Sequence, residues 1–234
     1  MGNSVFKRLF ADKNVRILII GHEDSGQSYV LHSLKLGKVS LTVAGEGVFA
    51  EVLRYKNVEM TALDLGGRMS IRPLLPHYYA TIQGLVFVLD CCGYRVDETI
   101  KAYCEKIQED VLPNEVPVLI LANNHDDSRA TSLDNIREQF GKEKCFIDRH
   151  WKVHGVNFSD KEDNGLFEAF DWLSDQMITN EKQKMALDIF AGTNNNGTTD
   201  TSDQQLGDKE NKGFLSKFVE SLKKTLVCRP VIRQ

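Results

Sequence analysis

The sequence predicts an α/β fold: a mainly parallel sheet flanked by helices. Three observations predict it. Short apolar runs alternate with longer amphipathic stretches from Arg16 to about Asn180. Three of the runs are almost continuously apolar, as strands buried on both faces require. A glycine-bracketed loop joins the first run to the first helical stretch, at the carboxyl end of a strand, where such sheets bind ligands.

The first strand is RILII (16–20), and a helical pattern runs from Ser25 to Leu36. VFAEVLRY (48–55) and VEMTALD (58–64) are separated by Lys56-Asn57. Two residues suffice for a hairpin, so this pair is antiparallel. GLVFVLD (84–90) follows, then a helix from Val96 to Val111 with Ile100, Tyr103, Cys104, Ile107 and Val111 at helical spacing. VPVLILAN (116–123) is the next strand. A helix from Ser132 to Phe140 opens with the capping signal Thr131-Ser132-Leu133-Asp134. The weaker run WKVHGVNF (151–158) precedes a helix from Gly165 to Ile178, with Leu166, Phe167, Phe170, Leu173 and Met177 on one face. Strands alternating with helices give right-handed crossovers and parallel pairing.

Composition excludes several classes. The 234 residues are 41% hydrophobic and 26% charged, in the globular range, long enough for one domain plus an appendage or for two small domains. A formal net charge of −4 excludes a nucleic-acid binder held by bulk positive charge. No apolar run reaches the length of a membrane-spanning helix. The start, MGNSVFKRLF, lacks the apolar region of a secretory signal. Cys91, Cys92, Cys104, Cys145 and Cys228 form no CxxC pair and no metal-ligand spacing. They fit a reduced compartment, with the first four read as buried small hydrophobes or bystanders.

Four parts are expected. Residues 1–14 form an amphipathic membrane-binding segment, with Val5, Phe6, Leu9 and Phe10 as the apolar stripe beside Lys7 and Arg8. Residues 15–182 form the globular domain. Residues 183–212 form a flexible polar linker, since AGTNNNGTTDTSDQQLGDKEN has almost no large apolar residue. Residues 213–234 form a basic amphipathic helix with Phe214, Leu215, Phe218, Val219, Leu222 and Leu226 on one face. From Lys212 onward, six basic residues (Lys212, Lys217, Lys223, Lys224, Arg229, Arg233) stand against Glu220, so an acidic body carries a basic tail. Such a tail seeks an anionic surface.

The chemistry-bearing loop is Gly21-His22-Glu23-Asp24-Ser25-Gly26-Gln27-Ser28. It has the G-x4-G-K-[ST] frame with Gln27 in place of lysine. Its glycines let backbone N–H groups approach phosphate oxygens, and the following helix adds its dipole. Ser28 keeps the hydroxyl that binds Mg²⁺. A second element, Asp64-Leu65-Gly66-Gly67, follows VEMTALD. A third, Asn123-Asn124-His125-Asp126, follows VPVLILA and resembles N-K-x-D, whose Asp accepts from the guanine N1 and N2 donors. His22, His125 and His154 have no nucleophile or metal partner in sequence and read as structural or solvent-facing.

With these elements in order, residues 1 to about 180 resemble the Arf family of small GTPases. The most specific stretches are DLGGRMSIRP (64–73), HYYATIQGLVFVLD (77–90) and GLFEAFDWL (165–173), with the YKN turn at 55–57 and the MGN start. The resemblance implies a P-loop small G-protein fold with six strands, binding of GTP/GDP with Mg²⁺ held indirectly by Ser28 and Asp64, and a nucleotide-binding set of residues 21–28, Asp64, Gly66, Gly67, Asn123, Asn124 and Asp126. It implies a monomer on the cytosolic face of Golgi or other endomembranes, working with effectors and with exchange or activating factors in vesicle trafficking.

The departures bear on mechanism. Gln27 replaces the lysine that contacts the phosphates, and Asn124 the lysine beside the base. The family's Mg²⁺-binding threonine falls on Gly45, counting back from Tyr55, with Thr42 three residues earlier. Arg68 stands where the family has the glutamine that orients the attacking water, and arginine has no acceptor. No catalytic residue is assigned. The last guanine element falls on Asn157-Phe158-Ser159-Asp160. Gly2 meets the first requirement for myristoylation, although position 6 is Phe6. One acyl chain anchors marginally, so the C-terminal segment with Cys228, a candidate palmitoylation site, supplies the second signal; a partner's groove is the other destination for that helix. Two readings stay open: a guanine-nucleotide-binding regulator with weak or absent hydrolysis, and a pseudo-GTPase scaffold that binds no nucleotide.

Overall fold

A computed structural model describes residues 14–22, 24–34, 39–45, 48–55, 58–64, 75–93, 95–109, 112–158 and 165–194. The elements are β1 (Val15–Gly21), α1 (Gln27–Ser33), β2 (Val39–Gly45), β3 (Val48–Tyr55), β4 (Val58–Asp64), α2 (Leu75–Tyr79), β5 (Gly84–Asp90), α3 (Val96–Glu109), β6 (Val118–Asn123), α4 (Leu133–Lys142), a 3-10 turn (Lys144–Phe146), β7 (Trp151–Val156) and α5 (Leu166–Asn194). The chain divides into two units, Met1–Lys184 and Met185–Gln234. The whole sheet lies in the first. In the second, the described residues are helical.

The seven strands lie in the order β2-β3-β4-β1-β5-β6-β7. β1 pairs in parallel with β4 and β5, and β5–β6–β7 continue in parallel. β3 and β4 pair antiparallel, with Tyr55 opposite Val58, as the two-residue turn required. The register sets the carboxyl ends level: Gly21 pairs with Asp64 and Val88, and Asn123 pairs with Asp90 and Val156.

The apolar runs are continuous because both faces are covered. Leu18, Ile20, Phe87 and Ile120 face a cluster with Ile100, Tyr103, Ile107, Ile136 and Phe140 of α3 and α4. Their neighbours Ile17, Ile19, Val86, Val88 and Leu121 face Val30 and Leu31 of α1 and Leu166, Phe170 and Leu173 of α5. Each fully buried aliphatic or aromatic side chain stabilises by about 1.5–3 kcal/mol. Ser132 caps α4 by accepting from the backbone N–H of Asn135 at 3.3 Å.

The structure departs from expectation in three places. There are seven strands rather than six. The added β2, VSLTVAG, borders one neighbour only and leaves Leu41 67% exposed, so it carries no two-faced apolar pattern. The short α2 has Pro76 in its first turn, where the missing N–H costs nothing. The last helix runs through Asn194, past Ile178 and past the expected end of the globular part at 182. Glu181, Lys182, Gln183, Lys184, Met185, Ala186 and Leu187 are strong helix formers, so residues 183–194 of the expected linker are helical. The N-terminal segment 1–13, the rest of the linker and the 213–234 helix lie outside the described residues.

Candidate functional site

The level carboxyl ends of β1, β5, β6 and β7 bring the loops at 21–26, 90–93, 123–127 and 156–158 together. The first is tight: the N–H of Ser25 donates to the carbonyl of His22 at 3.1 Å. Asp24 has φ 61° and Gly26 has φ 102°. A Cβ at Gly26 would lie 2.7 Å from the Phe158 ring, so both conformation and space demand glycine. At Gly21 a Cβ would meet Ser25 Oγ at 2.3 Å.

Gln27 is where the family pattern has lysine. Its Oε1 accepts from Ser25 Oγ at 2.8 Å, and both side chains are buried. The loop thus holds an amide oxygen where a phosphate site needs a cation. Among the described residues of 21–28, none carries a fixed positive charge. The His22 ring lies 5.5 Å from that of Tyr103, whose hydroxyl donates to the carbonyl of Val88 at 2.7 Å.

Asn123 ties three loops into one body. It is 6% exposed. Its Nδ2 donates to the carbonyl of Ser25 at 3.2 Å, and its Oδ1 accepts from the N–H of Asn124 at 2.9 Å and of Phe158 at 3.2 Å. The Phe158 ring packs 5.1 Å from Tyr29. Asn124, at φ 57°, donates through Nδ2 to Asp90 Oδ1 at 2.9 Å. It therefore anchors its own turn to β5. Asp126 is exposed, and its Oδ2 accepts from Asn157 Nδ2 at 2.7 Å.

His125 and His154 serve packing. A Cβ at Gly155 would lie 2.5 Å from His125 Cδ2, and one at Gly165 would lie 3.2 Å from His154 Nε2. Burial pushes the His154 pKa down, helped by Lys152 and opposed by Glu168.

The structure thus brings together Gly21, His22, Asp24, Ser25, Gly26, Gln27, Asn123, Asn124 and Asp126, with half-buried Ser28 in the first turn of α1. The backbone of Asp64 is level with Gly21. Gly45 ends β2 opposite Val48, and Thr42 pairs with Ala50. Glu23, Gly66, Gly67, Arg68, Gly2 and Cys228 lie outside the described residues. Asn157 and Phe158, the sequence's location for the last guanine element, do reach Asp126 and Asn123. Asp90 is an addition. Its position at the end of an apolar strand, like that of Asp64, is the signal that marks it. An open cavity of about 390 Å³ lined by Arg16, Glu59, Thr61, His77 and Tyr78 lies toward the other end of β1 and β4.

Guanine fits the base side of this site, since Asp126 presents carboxylate oxygens beside the rigid Asn123 knot. The phosphate side fits less well, because Gln27 and Ser25 turn their polar atoms toward each other.

Residues 2–177 match the model of the ADP-ribosylation factor family. Among solved structures, the chain is similar to an ADP-ribosylation factor-like GTP-binding protein, the small COPII coat GTPase of Encephalitozoon cuniculi, in complex with GDP. The TM-score is 0.61 at 20% identity, over 77% of this chain and 87% of that chain. At that identity the likeness speaks for the fold. Because the family model spans most of the sequence, this chain belongs to the ADP-ribosylation factor family.

Proposed function

We propose that this member of a family of GTP-binding regulators of membrane trafficking binds guanine nucleotide weakly, hydrolyses it slowly or not at all, and acts from a membrane surface through protein effectors. The observation that supports the reading is the Asn123 knot, which ties Ser25 to Asn124 and Phe158, with Asp126 bonded to Asn157 beside it. A carboxylate so placed accepts from both donors of the guanine edge and rejects adenine, whose edge presents an acceptor there. Ser28 and Asp64 would hold Mg²⁺, which neutralises phosphate charge when bound. Without the lysine, one charge-assisted hydrogen bond is missing, worth roughly 1.5–3 kcal/mol, or about 10- to 100-fold in affinity. Arg68 in place of the glutamine supports slow hydrolysis. Gly2, the apolar stripe at 5–10 and the basic tail with Cys228 support recruitment to the cytosolic face of endomembranes. No described helix is long and apolar enough to cross a membrane.

The test is nucleotide content and affinity. Protein purified natively with Mg²⁺ is extracted for bound nucleotide, then stripped and titrated with GDP, GTP and ATP. Guanine nucleotide binding without ATP binding supports the reading. A folded protein that gives no heat with any of them supports the second reading, a pseudo-GTPase scaffold, which the Ser25–Gln27 bond inside the phosphate loop favours.

A further inference from the structure

Outside the nucleotide site, two thiols meet. Cys104 lies on the inward face of α3 and is 1% exposed. Cys145 lies in the 3-10 turn after α4, half-buried against the same core. Its Sγ donates to the backbone carbonyl of Cys104 at 3.9 Å, so the two residues are in contact. They are 41 positions apart in sequence, so the fold alone makes them neighbours.

We propose that Cys104 and Cys145 form a peroxide-sensitive pair that oxidises to a disulfide joining α3 to the turn after α4. The two sulfurs divide the work. The Cys104 side chain, then that of Gln108 and last the Arg149 guanidinium, hold the Cys145 thiol below the usual thiol range, with burial and Glu143 opposing. The neighbouring Cys145 side chain and burial push the Cys104 thiol up. Cys145 is therefore the sulfur that reacts first, because the thiolate is the nucleophile. Its thiolate attacks one oxygen of hydrogen peroxide, the O–O bond breaks, and hydroxide leaves and takes up a proton. The sulfur becomes a sulfenic acid and the peroxide is reduced to water. The Cys104 sulfur then attacks Cys145 Sγ, the S–O bond breaks, and the Cys104 proton leaves with the hydroxyl as a second water. Two thiols and one peroxide thus give one disulfide and two waters. In a reducing compartment such a bond forms transiently and reports oxidant. It would fix the helix whose Tyr103 stacks on Phe87 behind the 21–26 loop.

The test treats the full-length protein with hydrogen peroxide, blocks remaining thiols under denaturing conditions, and maps tryptic peptides without reductant. The expected product links peptide 102–106 to peptide 145–149, with loss of two hydrogens in mass, and dithiothreitol reverses it. In Cys104→Ala the link disappears and dimedone labels Cys145. In Cys145→Ser neither product forms at these positions. If the wild-type protein oxidises at other thiols while Cys104 and Cys145 stay alkylatable, or if Cys145 links to Cys91, Cys92 or Cys228 instead, the proposal is overturned. The wild-type map decides even if a variant misfolds.

Discussion

Ser25 Oγ donates to Gln27 Oε1 at 2.8 Å inside the loop that the family uses for phosphate. Both side chains are buried, so the loop is stabilised by its own polar atoms. Gln27→Lys replaces an acceptor by a cation. GTP affinity is expected to rise by about 10- to 100-fold, as one charge-assisted bond to phosphate is restored. The urea midpoint without nucleotide is expected to fall, since the lost buried bond contributes about 1 kcal/mol. Calorimetric titration with Mg²⁺ and denaturant unfolding measure the two effects; an unchanged affinity would place the weakness elsewhere.

Asn157 donates to Asp126 at 2.7 Å, which fixes the orientation of the carboxylate proposed to meet the base. Asn157→Ala is expected to weaken GDP binding by about 2- to 10-fold, from loss of one supporting bond of about 0.5–1.5 kcal/mol. Asp126→Ala is expected to weaken it more, because the bonds to the base itself go. Competition with a fluorescent guanine nucleotide measures both. Equal affinity in all three proteins would remove Asp126 from base recognition.

Arg149 is a buried guanidinium that donates to carbonyls. It reaches Cys145 at 3.1 Å, Pro113 at 2.7 Å, Val116 at 2.8 Å and Leu112 at 2.9 Å, and also Asn114 Oδ1 at 3.2 Å. The segment 112–116 before β6 has no helix or strand to satisfy these carbonyls, so the side chain does it. Arg149→Met keeps the apolar stem and removes every donor. It is expected to destabilise by about 3 kcal/mol, since several buried acceptors lose their partner at once. Chemical denaturation reads the difference. A loss below about 1 kcal/mol would mean that water replaces the guanidinium.

Burial holds the His154 pKa below its ordinary 6.5, with Lys152 and His125 adding to the shift and Glu168 opposing it. Above pH 7 the ring is neutral in both folded and unfolded chains and contributes no pH dependence. As pH falls through 6.5 the unfolded chain takes the proton first, so stability is lost from there down to the folded pKa. The urea midpoint of the wild-type protein is therefore expected to fall more between pH 7.5 and 5.5 than that of His154→Asn. Parallel profiles would assign the loss to other groups.

Much of this architecture is legible in the sequence because local pattern and global burial agree. GLVFVLD and VPVLILAN read as doubly covered strands, and in the structure alternate residues of each face opposite clusters. The Lys56-Asn57 spacing gave the antiparallel pairing of β3 with β4. β2 lacks the continuous apolar run of the central strands: Val39, Leu41 and Val43 alternate with Ser40 and Thr42 over only five residues, and Leu41 is left in solvent at the sheet edge. Its place is set by its antiparallel pairing with β3. The helical run to Asn194 lay in ordinary helix formers, overshadowed by the polar stretch beyond.

For the site, the sequence by itself determined the order of the loops and the residue types in them. A glycine at 26, an asparagine at 123 and an aspartate at 126, each just past a strand or beside one, point to nucleotide chemistry before any coordinate is known. What those side chains do to one another was decided only by the tertiary structure. Whether Gln27 reaches outward or toward Ser25, whether Asn124 faces a base or Asp90, and whether Asn157 meets Asp126 depend on distances between residues far apart in sequence. Cys104 and Cys145 make the same point: 41 positions apart in sequence, they come into contact once α3 packs on the turn after α4. Hydrogen bonds act over about 3 Å, and only the folded chain sets separations that short.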